Sequence, residues 1–251
     1  MDFGKIIEFL ETTLQVGNIQ DFPNAFNGLQ FANNGTVHKI VGAVDASRIS
    51  IEKAIEEQAQ LLIVHHGLLW NGAQPIVGPL YELYKKAMDA NLAIYSMHLP
   101  LDVHPQWGHN VTIAKHLDLS PEGNFAHYKD QACGLICSDP QETISLEKRL
   151  QTLFPKSLHA LRFGPKKPSR IGIVSGSGGM EILTDALNHS IDTLITGELR
   201  YSAVSFAQLH FLNVFACGHY ATECFGVQNI LNLLQENFQI PCSFIDTFCE
   251  L

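Results

Sequence analysis

The feature that most constrains this chain is a strand–helix rhythm that occurs twice. Lys39-Ile40-Val41-Gly42-Ala43-Val44, Leu61-Leu62-Ile63-Val64 and Leu92-Ala93-Ile94-Tyr95-Ser96 are short, apolar runs. Runs of this kind suit strands buried on both faces, as in parallel sheets. Stretches with helical character near 49–59 and 80–90 separate them, which predicts right-handed βαβ units. A stripe of Ile6, Ile7, Phe9, Leu10 and Leu14 predicts a first helix over 3–16, and another helix is expected from Asn110 to Leu117.

The second half restates the plan. Arg170-Ile171-Gly172-Ile173-Val174 answers the first strand, and Asp192-Thr193-Leu194-Ile195-Thr196-Gly197-Glu198 answers the second. Val214-Phe215-Ala216-Cys217-Gly218-His219 answers the third. The repeat predicts an internal duplication: two similar, interlinked α/β domains over 1–126 and 127–251. Facing sheets would bring both sets of strand ends to one cleft. Between the halves, 131–167 is expected to add a strand, a helix at 142–153 and a linker. Whether the segment from Phe244 onward returns to the first domain is left open.

The 251 residues suit one large domain or two ordinary ones. No apolar run reaches the roughly 20 residues that span a bilayer. The N-terminus, Met1-Asp2-Phe3-Gly4-Lys5, lacks the basic-then-apolar pattern of a signal peptide, so a cytoplasmic protein is expected. A net charge of −9 disfavours a nucleic-acid surface, and the one basic stretch, Arg162 to Arg170, is broken by prolines. Six cysteines form no Cys-x-x-Cys pair, and Cys133 and Cys137 read as buried thiols.

Sites in such sheets lie beyond the carboxyl ends of the strands. Asp45, His65-His66, His98 and Asp102 fall there in the first half. In the second half, His219 and Glu223 stand four residues apart at the start of a helix and share a face. Adjacent residues on a regular strand point apart, so His65 and His66 can serve one cleft only where the strand ends, or else serve different metals. His65, His66, Asp102, His219 and Glu223, three imidazoles and two carboxylates, are too many donors for one tetrahedral site, and suit two metals that share a carboxylate such as Glu223. The plain alternative is a histidine pair at a turn, a capping Asp102 and an ordinary helix-face pair. Mixed N and O donors suit Zn, Fe, Mn, Co or Ni without choosing among them. His98 is expected to orient a ligand or donate a proton, or else to pack on the strand end. Glu198, in the slot that His65-His66 holds in the first half, is a general base, an outer anchor or a solvated carboxylate. Ser175-Gly176-Ser177-Gly178-Gly179 precedes a helix and is a weak signal for anion binding.

These residues resemble the GTP cyclohydrolase I type 2 homolog family, also called the NIF-three-like family. The resemblance runs through Asn27-Gly28-Leu29-Gln30, Val64-His65-His66-Gly67, His98 to Asp102, Gly176-Ser177-Gly178-Gly179, Thr196-Gly197-Glu198 and Gly218-His219-Tyr220-Ala221-Thr222-Glu223. It implies two similar α/β domains, a two-metal site on His65, His66, Asp102, His219 and Glu223, and a ring-shaped homohexamer. Gly67 stands where members usually have Pro. Leu99-Pro100-Leu101 stands where they have Thr-Asn-Leu. The function this implies is a metal-dependent hydrolase acting on a small phosphorylated or nucleotide-like substrate, with His98 or Glu198 moving the proton. The alternatives are a metal carrier or insertase, and a protein-interaction adaptor.

Overall fold

The computed structural model describes residues 1–70, 72–139 and 145–248. Their packing divides them into two units. One is Met1–Leu101 with Gly226–Thr247, and the other is Asp102–Phe225 with the chain end from Phe248.

The first unit opens with helix α1 (Phe3–Leu14), in which the Asp2 carboxylate caps the Gly4 N–H and Ile6, Leu10 and Leu14 are buried. Strand β1 (Gly28–Phe31) follows, then β2 (Ile40–Asp45), α2 (Arg48–Glu56), β3 (Leu61–His66), α3 (Pro79–Asp89) and β4 (Ala93–Ser96). Helix α2 starts in a capping box, with Ser47 and Ser50 each satisfying the other's backbone N–H. Strands β2, β3 and β4 pair in parallel, Ile40 opposite Leu61 and Leu61 opposite Ala93. All four residues of β4 are buried, which is why these runs lack an alternating pattern.

The second unit begins within the single turn α4 (Leu99–Asp102). It continues through α5 (His109–His116), β5 (Ser120–Tyr128), β6 (Gln131–Ser138), α6 (Leu146–Leu153), β7 (His159–Arg162), β8 (Ile171–Ser177), α7 (Gly179–Asn188), β9 (Thr193–Glu198), α8 (Ser202–Leu209), β10 (Asn213–Ala216) and α9 (His219–Phe238). Strands β5 and β6 are one antiparallel hairpin, paired from Ser120–Ser138 to Tyr128–Gln131. The expected division at 126/127 falls inside that hairpin, whereas packing divides the chain at Leu101/Asp102 and again within α9. The helix expected over 142–153 is described from Leu146; its first residues lie outside the described ones. The expected linker begins with a strand, because Arg162 in β7 pairs with Asn213 and its guanidinium binds Glu147.

After α9 the chain returns to the first unit. Strand β11 (Cys242–Phe244) pairs in parallel with β2, Cys242 opposite Ile40, which closes the question left open at Phe244. Leu231 and Val227 of α9 pack on β2 so closely that a Cβ on Gly42 would lie 2.7 Å from Leu231 Cδ1.

The two sheets share one wiring. Their orders are β1-β4-β3-β2-β11 and β5-β6-β8-β9-β10-β7. In each, three parallel strands alternate with helices, and the strand just before them in sequence pairs antiparallel with the third. The helix-to-strand turns repeat as well. Gln58 and Asn91 in the first unit, and Ser190 and Phe211 in the second, all take positive φ between 54° and 57°. The chain is thus a duplicated α/β unit with an extra hairpin in its second copy.

Candidate metal centre

In the first unit, the ends of β2, β3 and β4 and the turn after β4 hold a cluster of imidazoles. His65 is fully buried in β3, and His66 is its last residue. The two rings lie 4.6 Å apart between centroids, although neighbours on a strand ordinarily diverge. Their outer hydrogen bonds explain the convergence. The Nδ1 of His65 is 3.0 Å from the Met97 carbonyl, and the Nδ1 of His66 is 2.9 Å from Asp45 Oδ1. His98 joins them, its ring centroid 5.0 Å from that of His65 and 5.7 Å from that of His66. One nitrogen from each of the three histidines lies within 4.8 Å of the other two.

His98 is held by a residue that the strand–helix pattern does not flag. Its Nδ1 faces both oxygens of Asp21, at 2.9 and 3.0 Å. Asn27 Nδ2 donates to Asp21 Oδ2 at 2.7 Å, and Asn27 Oδ1 accepts from the His98 backbone N–H at 2.7 Å. The Leu99 N–H also donates to Asp21 Oδ2. Burial of Asp21 opposes its ionisation, yet the His98 hydrogen bond and charge, with Asn27 and the Phe22 N–H, hold the carboxyl below its ordinary range. Trp70 and Phe22 stand against the His98 ring, with centroids 4.6 and 5.7 Å away.

A carbonyl or carboxylate oxygen only accepts, so each of the three rings donates from Nδ1. In a neutral ring Nε2 is therefore the atom that carries the lone pair. Histidines that bind metal are oriented in this way, with the second ring nitrogen donating to a carboxylate or carbonyl. The donor set fits a divalent cation.

In the second unit, β10 ends at Ala216 and Gly218 turns with φ +93° into α9. His219 Nε2 lies 3.2 Å from Glu223 Oε1, one helical turn on, and His219 Nδ1 lies 3.4 Å from Glu198 Oε2. Burial alone would lower the His219 imidazole, but Glu223, by hydrogen bond and charge, and then Glu198 outweigh it and raise it to about 9. Glu223 is 3% exposed. Gly176, at the end of β8 with φ +65°, makes room for the pair: a Cβ there would lie 2.2 Å from Glu223 Oε1 and 3.2 Å from His219 Nε2. The Gly176 N–H donates to Thr222 Oγ1 at 3.0 Å, which keeps the loop on the helix start. Asp102 Oδ1 accepts from Ser175 Oγ at 3.3 Å, and the Ser175 N–H donates to Asn110 Oδ1.

Of the residues singled out in the sequence, His65, His66 and His98 thus come together in the first unit. His219, Glu223 and Glu198 come together in the second, where Asp102 is tied to the Ser175 end of β8. The outer partners Asp21 and Asn110 have no signal in the strand–helix pattern. Asp21 sits 77 residues before His98 in a loop without periodicity.

Duplicated α/β units with imidazole and carboxylate clusters at their strand ends define a class of candidate metal-binding proteins. The chain belongs to the Duf34/NIF3 (NGG1p interacting factor 3) family, whose model it matches over residues 1–248. It is 36% identical over 250 residues to a Pyrococcus horikoshii protein called GTP cyclohydrolase 1 type 2 homolog, covering 98% of each chain. A Treponema pallidum protein of the same description is 33% identical over 274 residues, covering 95% of this chain and 96% of that one. Among solved structures, protein ybgI, described as of unknown function, superposes with a TM-score of 0.89 at 28% identity, and all of each chain is covered.

Proposed function

We propose that this chain binds two divalent metal ions through His65, His66, Asp102, His219 and Glu223, and that it hydrolyses a small phosphorylated or nucleotide-like substrate. The observation that carries the metal reading is the uniform orientation of the histidines at the β3 and β4 ends, each Nδ1 fixed on an oxygen acceptor. The His219–Glu223 pair, with Gly176 leaving it space, supports the same reading in the second unit.

Bound ions would supply Lewis acidity and lower the pKa of water, the chemistry hydrolysis requires. The chain's own groups would do the rest. Glu198 orients His219 through Nδ1, and Asp45 orients His66 in the same manner. With Nδ1 held by Asp21, His98 presents Nε2 as the atom that takes or returns a proton. Trp70 and Phe22 limit water around that ring.

We also infer a homohexameric ring, as the family resemblance implies. Tyr201 and Leu209, at the two ends of α8, are 90% and 71% exposed and supply apolar surface that self-association would cover.

The test is turnover of nucleotides and phosphoesters, GTP included because of the relatives' name, by protein of measured metal content. Activity that needs bound ions and is lost in Glu223→Ala is expected. Two bound ions with no turnover across the panel would overturn the hydrolase and favour a metal carrier or an adaptor.

A further inference from the structure

Helix α6 carries a buried cation that its ion pair does not satisfy. Arg149 Nη2 donates to Asp139 Oδ2 at 2.5 Å, and the two side chains are 10% and 8% exposed. The Nε and Nη1 atoms of the same guanidinium are buried and have no hydrogen-bond acceptor. Buried donors are ordinarily paired, and a charged group pays more than a neutral one when they are not. Arg149 lines a cavity of about 540 Å³, together with Lys148, Thr152 and Leu153 of α6 and with His116 and Asp118 at the end of α5. None of these residues belongs to the candidate metal centre.

We propose that this cavity binds the phosphate group of a small organic phosphate, with Arg149 as its anchor. Asp139 holds the guanidinium by one nitrogen and leaves the other two for a ligand. Planar guanidinium N–H groups match phosphate oxygens in geometry as well as in charge. Lys148 and His116 are exposed at the rim, where they add an ammonium and a ring N–H. Asp139 offsets much of the Arg149 charge, so recognition rests on directed N–H donors more than on net charge. Asp118 is the one carboxylate among the lining residues, and it is exposed. It offers an acceptor for a hydroxyl of the ligand. The cavity falls within the roughly 300–1,000 Å³ of small-molecule sites and is far larger than a phosphate ion, so an organic part fills the remainder against Leu153. The site is independent of the proposed metal binding.

The experiment titrates the full chain calorimetrically with inorganic phosphate and with AMP. Each titration is run with and without EDTA, which takes the proposed metal centre out of the comparison. Saturable binding of both probes is expected in EDTA, with AMP about 10-fold tighter or more because it fills more of the cavity. Phosphate should also slow hydrogen exchange in α6. The variant Lys148→Ala/His116→Gln changes only exposed side chains and should weaken both probes about 10-fold. Arg149→Lys keeps a cation beside Asp139 without the planar donors and should abolish binding. Circular dichroism verifies each fold, and the double variant carries the test if Arg149→Lys is unfolded. No saturable binding, binding that disappears in EDTA, or unchanged affinity in the folded double variant would overturn the site. AMP no tighter than phosphate would overturn the organic part of the ligand.

Discussion

A single methyl group separates the second unit's carboxylate–imidazole pair from a broken one. Gly176 has φ +65° and a vacant Cβ position 2.2 Å from Glu223 Oε1, so alanine there is excluded by strain and by contact. Gly176→Ala should therefore displace Glu223 and weaken metal binding by about 10-fold or more, the scale seen when a ligand loses its orientation. Isothermal titration with zinc checks this, and affinity equal to that of the unaltered chain would contradict it. Gly67 shows the same logic where the family pattern leads one to expect proline. A Cβ at Gly67 would lie 2.1 Å from Gln30 Nε2, while Gln30 Oε1 accepts from the Leu68 and Leu69 N–H groups. Gly67→Pro should evict Gln30 and cost about 1 kcal/mol, the scale of losing hydrogen bonds to partly buried groups. A melt that shows unchanged stability would contradict this account of the departure.

At the scale of elements, helix and strand positions were largely legible because burial on both faces leaves unbroken apolar runs in β2, β3 and β4. Strands β1 and β7 were not, since each is four residues long, only partly buried in between its ends, and defined by pairing with a distant strand. The turns add information that periodicity cannot carry. Phe211 occupies the left-handed region at φ 54° while 75% exposed, so it gains little from burial there. Phe211→Asn should raise stability by up to about 1 kcal/mol, because asparagine tolerates that conformation and other L-residues pay for it. A lowered melting temperature would contradict the argument. Strand β11 is tied to the end of α2 by Glu57, whose carboxyl is held low first by the Lys39 hydrogen bond, against desolvation, and then by Ser243. A depressed folded pKa gives stability that is present above the unfolded value of 4.5 and lost as pH falls through the folded value. Glu57 is 37% exposed, so the effect is small, about 0.5 kcal/mol. The unaltered chain should lose that much more stability than Glu57→Gln on acidification to about pH 3, and equal losses in denaturant titrations would contradict the linkage.

For the molecule as a whole, the duplication was readable from apolar runs, and the structure extends it to an antiparallel partner strand and matched positive-φ turns. The division into units was less legible. The repeat alone puts a boundary at 126/127, within the paired residues of the β5–β6 hairpin, and α9 carries the chain from the second unit into the first. The histidines and carboxylates of the candidate site were legible because they follow apolar strands or share a helix face. Asp21, Asn27 and Asn110 were not, because their roles rest on contacts between segments far apart in sequence. Among the described residues, no helix is long and apolar enough to cross a membrane. The proposed homohexamer predicts sedimentation at six times the 27.8 kDa chain mass, and a monomer across micromolar concentrations would contradict the proposal.

The most direct test of the account is the metal stoichiometry and affinity of the unaltered chain, measured by elemental analysis after dialysis against zinc, manganese, cobalt and iron(II) in turn. The account predicts two equivalents of at least one of these ions, with loss of binding in a His65→Ala/His219→Ala variant that remains folded. A folded, unaltered chain that retains none of the four ions would contradict it.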